Sequence, residues 1–229
     1  MITTGKIALN EDRTQMVQKI QEAILEGICL LDYRAGYQFK EAEIAAEFGV
    51  SRTPVRDALS RIAHLDLIET RNGVGTIVKS LTHAKIADVY ETRLRLAPLI
   101  GELSLVTVEA SHLALIKYLL QRAKALTSME QARSYMQINH ELQQLLCQLI
   151  SNSVLQSFWQ QTYYQAASVW YRIVDNIGIK AFPSLVAELS ELERALQNND
   201  LNAVGYIQKI YIGYGYERIK THLFNLQSA

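Results

Sequence analysis

The sequence has few cysteines, and they are not arranged to build a disulfide framework or a zinc site. Its 229 residues include two, Cys29 and Cys147, which lie far apart and form no Cys-x-x-Cys pair. This usage suits a reducing compartment. The amino-terminal 13 residues contain no apolar run, so we expect no signal peptide. No stretch approaches 18 uncharged apolar residues, so we expect no membrane span and a cytoplasmic location.

Net charge is absent as well. The chain carries 23 basic and 23 acidic residues, so no overall field attracts nucleic acid and any DNA-binding surface must be local. Within residues 1–80, ten Lys and Arg face eleven Asp and Glu. Internal repeats, low-complexity tracts and glycine-rich linkers are also missing. Hydrophobic residues make up 49% of the chain, which is ample for one large or two modest domains.

The first 50 residues predict two helices separated by a short extended piece. Apolar residues recur at helical spacing over about 13–26, which indicates an amphipathic first helix. Gly36 marks a turn, and a short second helix is expected over 41–48, ended by Gly49 in a left-handed conformation. The inward positions of the first helix are expected to be Met16, Val17, Ile20, Ala23, Ile24 and Ile28.

A third helix is predicted to begin after Ser51. Ser51 is a favourable N-cap, and Pro54 falls in the first turn, where its missing N–H costs little. Arg52 and Arg56 lie four residues apart, on a face distinct from the apolar stripe. Arginine pairs bidentately with guanine in the major groove, and a helix N-terminus favours phosphate. The expected buried stripe consists of Val55, Leu59 and Ile62.

Two strands, 67–70 and 75–78, are then predicted to form a hairpin through Asn72-Gly73. Arg71 at its tip is placed to reach a minor groove or a phosphate. Helix, turn, helix and hairpin in this order indicate a winged helix-turn-helix. The alternative is the same fold used only for protein contacts, with solvated arginines. The combination of a capped helix, an arginine pair at its start and an arginine at the hairpin tip favours DNA binding.

Residues 36–78 resemble the DNA-binding domain of the GntR family of bacterial transcription regulators. The resemblance implies operator contacts from the third helix, a backbone role for Arg34 and a wing role for the Arg71–Gly75 loop. The motifs that carry it are Glu41-Ala42-Glu43-Ile44-Ala45, Gly49-Val50-Ser51-Arg52-Thr53-Pro54-Val55-Arg56-Asp57-Ala58-Leu59, Leu67-Ile68 and Gly75. The DNA-binding residues expected are Arg34, Glu41, Ser51, Arg52, Thr53, Arg56, Arg71, Asn72, Gly73 and Gly75.

From residue 83 onward the pattern is helical, so the fold class expected is mainly α. A winged helix-turn-helix domain over 1–80 would precede an all-helical bundle over 81–229. Pro98 should interrupt the first helix of the bundle, and Asp200 is a plausible cap for the last. The expected helices are 83–108, 110–126, 129–151, 153–176, 183–197 and 200–226. The inward stripes of the last two are Leu185, Leu189, Leu192 and Leu196, and Val204, Ile207, Tyr211 and Tyr214.

The bundle resembles the ligand-sensing and dimerisation domain of the FadR-like branch of the GntR family, called FCD. The matching residues are Tyr90-Glu91-Thr92-Arg93-Leu94, Asn139-His140 followed by Leu142, Asn152, and Ala195-Leu196 before Asp200. Many FCD domains hold a divalent metal through an Asp and three His. The corresponding positions here are Met136, His140, Leu189 and Tyr211. Because three of the four ligands are replaced, we expect no metal and no cofactor.

A cavity between bundle helices is the remaining candidate ligand site. Arg93 matches a family arginine that points towards the cavity, and the nearby family glutamate is Ala97 here, so an anionic ligand is expected. For most of the aromatics of this region the favoured interpretation is core packing, and for His140 it is a hydrogen-bonded core histidine rather than a ligand contact. Those aromatics are Tyr163, Tyr164, Trp170, Tyr171, Tyr206, Tyr211 and Tyr214. The ligand-binding residues expected are Arg93, Asn139, His140, Asn152 and Tyr211.

These features predict a homodimeric transcription regulator that binds a palindromic double-stranded operator and responds to a small-molecule effector. Two alternatives stay open. One is a ligand-blind regulator whose bundle serves only dimerisation. The other is an enzyme centred on His140, although no nucleophile elbow, phosphate loop or ligand set accompanies that residue.

Overall fold

The computed structural model describes the backbone of residues 3–104 and 106–224, and the side chains of residues 13–104, 106–174 and 177–223. The chain divides into two compact units, Met1–Ser80 and Leu81–Ala229. The architecture is mainly helical with one small sheet, so the predicted fold class is confirmed. In the part that the structure describes, no helix combines the length and apolar composition needed to cross a bilayer.

The amino-terminal unit contains three helices and a three-stranded antiparallel sheet. The strand order is β1-β3-β2, and Gln38 of β1 lies opposite Ile77 of β3. The predicted first helix is present but longer than the expected 13–26. The elements are α1 (Thr3–Cys29), β1 (Gln38–Phe39), α2 (Glu41–Glu47), α3 (Arg52–His64), β2 (Ile68–Arg71) and β3 (Gly75–Val78).

The core of this unit lies where α1 packs against α3. The expected stripe of α3 is buried, with Val55 and Ile62 fully enclosed. On α1 the prediction for Ala23 is wrong, because that residue is exposed while Leu25 on the opposite flank is buried. Burying leucine removes more apolar surface from water than burying alanine does. The buried side chains of α1 include Val17, Ile20, Ile24, Leu25 and Ile28.

Two turns connect α2 to α3 and β2 to β3. Gly49 ends α2 with a φ of 64°, as predicted. The predicted strand 75–78 is confirmed as β3, and the connection includes Asn72-Gly73 as predicted; β2 ends at Arg71, one residue later than expected, so the connection is 72–74. The amide of Val74 donates to the carbonyl of Arg71 at 3.1 Å. Gly73 and Gly75 have φ values of 76° and 106°, so two glycines rather than one accommodate the turn.

The carboxy-terminal unit is a bundle of seven α-helices within the described residues. Short 3₁₀ turns cover Met129–Gln131 and Gly178–Ala181, and a π-helical turn covers Lys220–Phe224. The expected end of the last helix at residue 226 lies outside the described residues. The helices are α4 (His83–Leu96), α5 (Leu99–Glu102), α6 (Ala110–Lys124), α7 (Ala132–Gln148), α8 (Ser153–Ile177), α9 (Phe182–Gln197) and α10 (Leu201–Ile219).

The single helix expected over 83–108 is wrong in extent. Pro98 divides it, as predicted, and its second piece ends at Glu102. Residues 106–109 are not helical. They include Val106, Thr107 and Val108, whose β-branched side chains lose rotamer freedom in a helix. The amide of Val108 instead donates to the side-chain oxygen of Asn199 at 2.9 Å.

The predicted stripe of α9 is buried throughout, since Leu185, Leu189, Leu192 and Leu196 are each at most 2% exposed. The predicted N-cap of α10 is confirmed by a 2.8 Å bond from the amide of Ala203 to Asp200. The stripe expected on α10 is wrong at Tyr214, which is 55% exposed. Gln208 is buried in its place, on the face that the bundle covers.

Candidate functional site

The exposed face of α3 is the first candidate site. Arg52, Thr53 and Arg56 are exposed, while Val55 and Leu59 anchor the helix from its opposite face. The guanidinium of Arg52 makes no ion pair within the part of the chain that the structure describes. An exposed cation without a carboxylate partner keeps its donors available for phosphates and base edges.

Two other arginines of this unit, Arg56 and Arg13, are oriented by carboxylates. Nε of Arg56 lies 2.7 Å from a carboxylate oxygen of Glu41, which joins α3 to α2. Arg13 contacts Asp57 at 2.8 Å and so joins α1 to α3. Exposed pairs of this kind contribute little to stability, typically under about 1 kcal/mol, so DNA can replace them at low cost. The carboxylate of Glu41 therefore holds the guanidinium of Arg56 in position.

The start of α3 departs from the prediction in one respect. Ser51 occupies the N-cap position with extended backbone, but its side chain makes no cap hydrogen bond. N-cap side chains bond to the amide of the second or third helical residue, and the third residue here is Pro54, which has no N–H. The amide of Thr53, the other usual donor, is not capped by Ser51 either.

The hairpin carries the remaining candidates of this unit. Arg71, Asn72, Gly73 and Gly75 are all exposed. Arg71 is paired with Glu69 of the same strand at 2.6 Å. Arg34 is exposed as well. It lies in a turn in which its own carbonyl oxygen accepts a 2.9 Å hydrogen bond from the amide of Tyr37.

The second candidate site is a cavity inside the carboxy-terminal unit, bordered by α4, α7, α8, α9 and α10. The space available to the centres of water-sized molecules is ≈ 120 Å³. One water needs about 10–15 Å³ on this measure, so a small metabolite can be accommodated. Aromatic side chains dominate the walls: Tyr90, Tyr135, Tyr163, Trp170, Tyr171 and Tyr211.

Two charged groups of this cavity stand out, Arg93, which is buried, and Glu188, which is half-buried. Arg93 is 5% exposed, and its guanidinium lies 4.5 Å from the centre of the Trp159 ring. Its single hydrogen bond among the described residues is a 3.4 Å contact from Nη1 to the carbonyl of Trp159. Glu188 accepts a 2.8 Å bond from the amide of Gln208. Burial raises the pKa of Glu188 to about 7, against the lowering effects of Gln208 and Arg93.

Two further predicted ligand residues line the cavity. Asn139 does so while its amide donates to the carbonyl of Tyr135 at 2.8 Å. Tyr211 does so while its hydroxyl donates to Glu191 at 2.9 Å. Desolvation, followed by the hydrogen bond to Glu191, raises the pKa of Tyr211, so this phenol stays protonated at neutral pH.

The comparisons with known proteins decide the family. The profile described as "Bacterial regulatory proteins, gntR family" matches residues 14–78, and the FCD domain profile matches residues 88–209, more than half of the chain. The chain belongs to the GntR family and carries an FCD domain. The resemblance seen in the sequence is therefore confirmed.

Named relatives of this GntR protein match only in part. The gluconate operon transcriptional repressor of Bacillus subtilis is 32% identical over 126 residues, covering 55% of this chain and 51% of that protein. A protein of Paenarthrobacter nicotinovorans, named "Probable D-xylose utilization operon transcriptional repressor", is 34% identical over 92 residues, covering 40% and 41%. The matches thus span about half the length of these relatives.

A solved structure extends the likeness in fold. E. coli McbR/YncC superimposes with a TM-score of 0.71 at 14% identity, covering 89% of this chain and 98% of that one. At such low identity the match concerns architecture only.

The four FCD metal positions do not fit a divalent ion here. His140 faces the Tyr163 hydroxyl with Nδ1 at 3.1 Å and the Gln144 amide with Nε2 at 3.3 Å. Leu189 offers no donor atom, and the hydroxyl of Tyr211 is bonded to Glu191. Among the described residues, no group of three or more His, Cys, Asp and Glu side chains is arranged to hold a metal ion.

Two predicted ligand residues of the FCD domain lie elsewhere. Asn152 is the N-cap of α8 and accepts bonds from the amides of Val154 and Leu155, so its side chain is committed outside the cavity. His140 is a buried, hydrogen-bonded residue behind Tyr163 and is not part of the cavity wall. We therefore omit both from the proposed ligand contacts.

The sequence-based prediction missed Glu188 and Gln208. A signal was present for the first, because Glu188 stands three residues after Leu185 and four before Leu192, within a stripe that the structure buries. A carboxylate at such a position is costly unless it has a partner or a function.

Proposed function

We propose that this chain is a sequence-specific DNA-binding transcription regulator whose operator binding is modulated by a small metabolite in its FCD domain. The observation that carries the proposal is the exposed start of α3, where Arg52, Thr53 and Arg56 lie in the first turns of a helix whose amides Ser51 does not cap. Arginine side chains read guanine, and helix-terminal amides hold phosphate. A bacterial regulator with this activity acts in the cytoplasm.

The hairpin supplies the second part of the proposed interface. Arg71 and the Asn72–Gly75 turn are exposed, and glycine at two turn positions allows the backbone to approach DNA closely. We propose that Arg34 contacts the phosphate backbone of the DNA. Because the net charge of the chain is zero, affinity depends on these placed cations, and the salt dependence should correspond to a small number of phosphate contacts.

The cavity supports the effector half of the proposal. Arg93 is buried without a carboxylate within ion-pair distance among the described residues, so an anionic group on the ligand would satisfy it. This feature favours a metabolite sensor over the ligand-blind alternative. A thermal-shift screen separates the two, since a ligand-blind regulator would be stabilised by no metabolite.

Dimerisation completes the mechanism. Two copies related by a two-fold axis would present two recognition helices to a palindromic operator. A ligand that binds more tightly to one relative arrangement of the two DNA-binding domains shifts the population towards that arrangement. The affinity for the operator then depends on whether that arrangement matches the spacing of its half-sites. The names of both relatives as operon transcriptional repressors support action at an operator.

The test is selection of binding sites from a random pool of DNA duplexes by the purified protein, with sequencing, at two salt concentrations. We expect enrichment of a short palindrome that loses affinity as salt increases. Salt-sensitive binding without enrichment, or no binding at all, would contradict the assignment and leave the winged helix as a scaffold for protein contacts.

A further inference from the structure

Two opposite charges line the FCD cavity without forming an ion pair. Arg93 projects from α4 and Glu188 from α9, and the pair is not within 4 Å in this structure. Opposite charges enclosed in one low-dielectric space gain most by direct contact, so their separation needs a cause. Each is held by a different set of neighbours.

Aromatic rings lie against the guanidinium of Arg93. The guanidinium carbon lies 4.5 Å from the centre of the Trp159 ring and 5.8 Å from that of Tyr163. These faces stabilise the cation without consuming its N–H donors. One weak 3.4 Å bond to a carbonyl leaves most of the five donors without a partner among the described residues.

One side-chain amide holds the carboxylate of Glu188. Oε1 accepts the 2.8 Å bond from Gln208, and Oε2 accepts no hydrogen bond from the described residues. The side chain is half-buried and forms part of the cavity wall. It therefore presents an acceptor to whatever occupies the cavity.

The cavity thus offers a donor-rich cation and an acceptor carboxylate that do not pair with each other, within walls that also carry tyrosine and tryptophan side chains. We infer that its ligand is a small zwitterion of the amino-acid type, with the carboxylate on Arg93 and the ammonium on Glu188. Aromatic walls also attract an ammonium group. This inference rests on the proposed function, because it names the chemical class of the effector.

A dicarboxylate is the principal competitor. Arg218 lines the same cavity, so a second anionic group has a cation available. The presence of Glu188 disfavours this ligand, because a second carboxylate would have to share the cavity with that side chain or keep it protonated. The two ligand classes differ in their dependence on Glu188, which makes them separable.

The experiment uses the full-length protein in a thermal-shift screen followed by calorimetry. The probes are the protein amino acids, β-alanine and γ-aminobutyrate, with monocarboxylates and dicarboxylates alongside. Each stabilising zwitterion is compared with its N-acetyl derivative, which lacks the cation, and with its decarboxylated amine, which lacks the anion. Affinities are measured for the native chain, for Glu188→Gln, and for Glu193→Gln as a control on the same helix outside the cavity.

We expect a zwitterion to bind best and either truncated analogue to lose about tenfold or more in affinity, the loss that follows when a charged hydrogen-bonded contact is removed. Glu188→Gln should weaken the zwitterion by a similar factor and leave the N-acetyl derivative nearly unchanged, while Glu193→Gln should behave as the native chain does.

Three results would overturn the inference. Tighter binding of a carboxylate without an amine, or unchanged zwitterion affinity in Glu188→Gln, would reject the zwitterion while leaving metabolite sensing intact. No stabilisation by any class would reject both the zwitterion and metabolite sensing. The DNA selection experiment tests operator binding independently of all three.

Discussion

Arg52 and Arg56 share one face of α3 but differ in their surroundings. Arg52 has no ion pair among the described residues, whereas Arg56 is held by Glu41. We predict that Arg52→Ala and Arg56→Ala each cost on the order of 1–3 kcal/mol of specific operator binding. Binding isotherms on the selected operator and on a scrambled duplex measure the loss.

The matched control is Arg61→Ala, which removes an exposed arginine from the last part of the same helix. It should lower specific affinity much less. If both test variants retained full operator affinity while folded, the assignment of α3 as the recognition helix would be wrong. In Arg56→Ala the carboxylate of Glu41 is left unpaired, so adding Glu41→Gln should restore part of the affinity.

Glu188 makes stability depend on pH in an unusual direction for a carboxylate. Its pKa rises from 4.5 to about 7 in the folded protein, chiefly because burial penalises the charged form. The folded state therefore binds the proton more tightly than the unfolded state does. Stability is highest at acid pH with respect to this group, and it falls as pH rises from about 4.5 to about 7.

We predict that the native chain loses up to about 3 kcal/mol relative to Glu188→Gln between pH 5 and pH 8, from the size of the pKa change. Urea unfolding of both proteins across this range measures the difference. Glu193→Gln provides the control, and its stability should follow the native chain at every pH. A constant difference between native chain and Glu188→Gln would show that Glu188 titrates normally.

At the scale of elements, two glycines allow α10 to pack closely against α5 and against the interruption between α4 and α5. A Cβ at Gly101 would lie 2.4 Å from the backbone of Asn202, and one at Gly205 would lie 2.7 Å from the carbonyl oxygen of Ala97. Because backbone atoms cannot move aside cheaply, Gly101→Ala and Gly205→Ala should each destabilise the protein by about 1–3 kcal/mol.

Gly213→Ala is the control for this prediction, since it lies on α10 and its nearest neighbour would be a leucine methyl at 3.8 Å. Alanine is the better helix former, so this variant should be neutral or up to about 1 kcal/mol more stable. Chemical denaturation of the three variants gives the comparison. Equal effects at all three glycines would show that helix propensity, not close packing, decides the outcome.

Local signals made some elements predictable and left others hidden. Gly49, Pro54 and the α3 stripe are encoded within a few residues of one another, so α2 and α3 were predictable from sequence. The hairpin was predictable from Asn72-Gly73 as well, and only β2 is displaced by one residue from the expected bounds. On α10, Tyr214 is exposed and Gln208 is buried, and the burial of Gln208 depends on a carboxylate of α9, Glu188, that accepts its amide hydrogen bond.

The candidate sites divide in the same way. The proposed DNA-binding residues of α3 lie in one continuous motif, so they could be named from the sequence, although the missing Ser51 cap could not. The cavity draws side chains from five helices. Arg93 and Tyr211 were found because they match family positions, while Glu188 was overlooked beside Leu189.

At the scale of the whole molecule, the proposed dimer needs a face, and α10 offers one. Tyr206, Ile210 and Tyr214 recur every four residues, and each is about half exposed, at 53%, 48% and 55%. Large apolar side chains aligned on one helix mark an interaction surface more often than scattered ones do. We predict that this stripe forms part of the contact between two copies of the chain.

The test is Ile210→Glu, which places a charge at the centre of the stripe. Losing one buried aliphatic side chain costs about 1.5–3 kcal/mol, and burying the unpaired carboxylate adds to this, so dimerisation should weaken by at least about tenfold. Sedimentation equilibrium measures the change, and binding to a full palindrome should weaken more than binding to a half-site. Tyr118→Glu is the control, because Tyr118 is 54% exposed on α6. A dimer that withstands Ile210→Glu would move the interface to another exposed apolar pair, Val154 and Phe158 on α8, and the corresponding charge at Phe158 would then have to separate the copies.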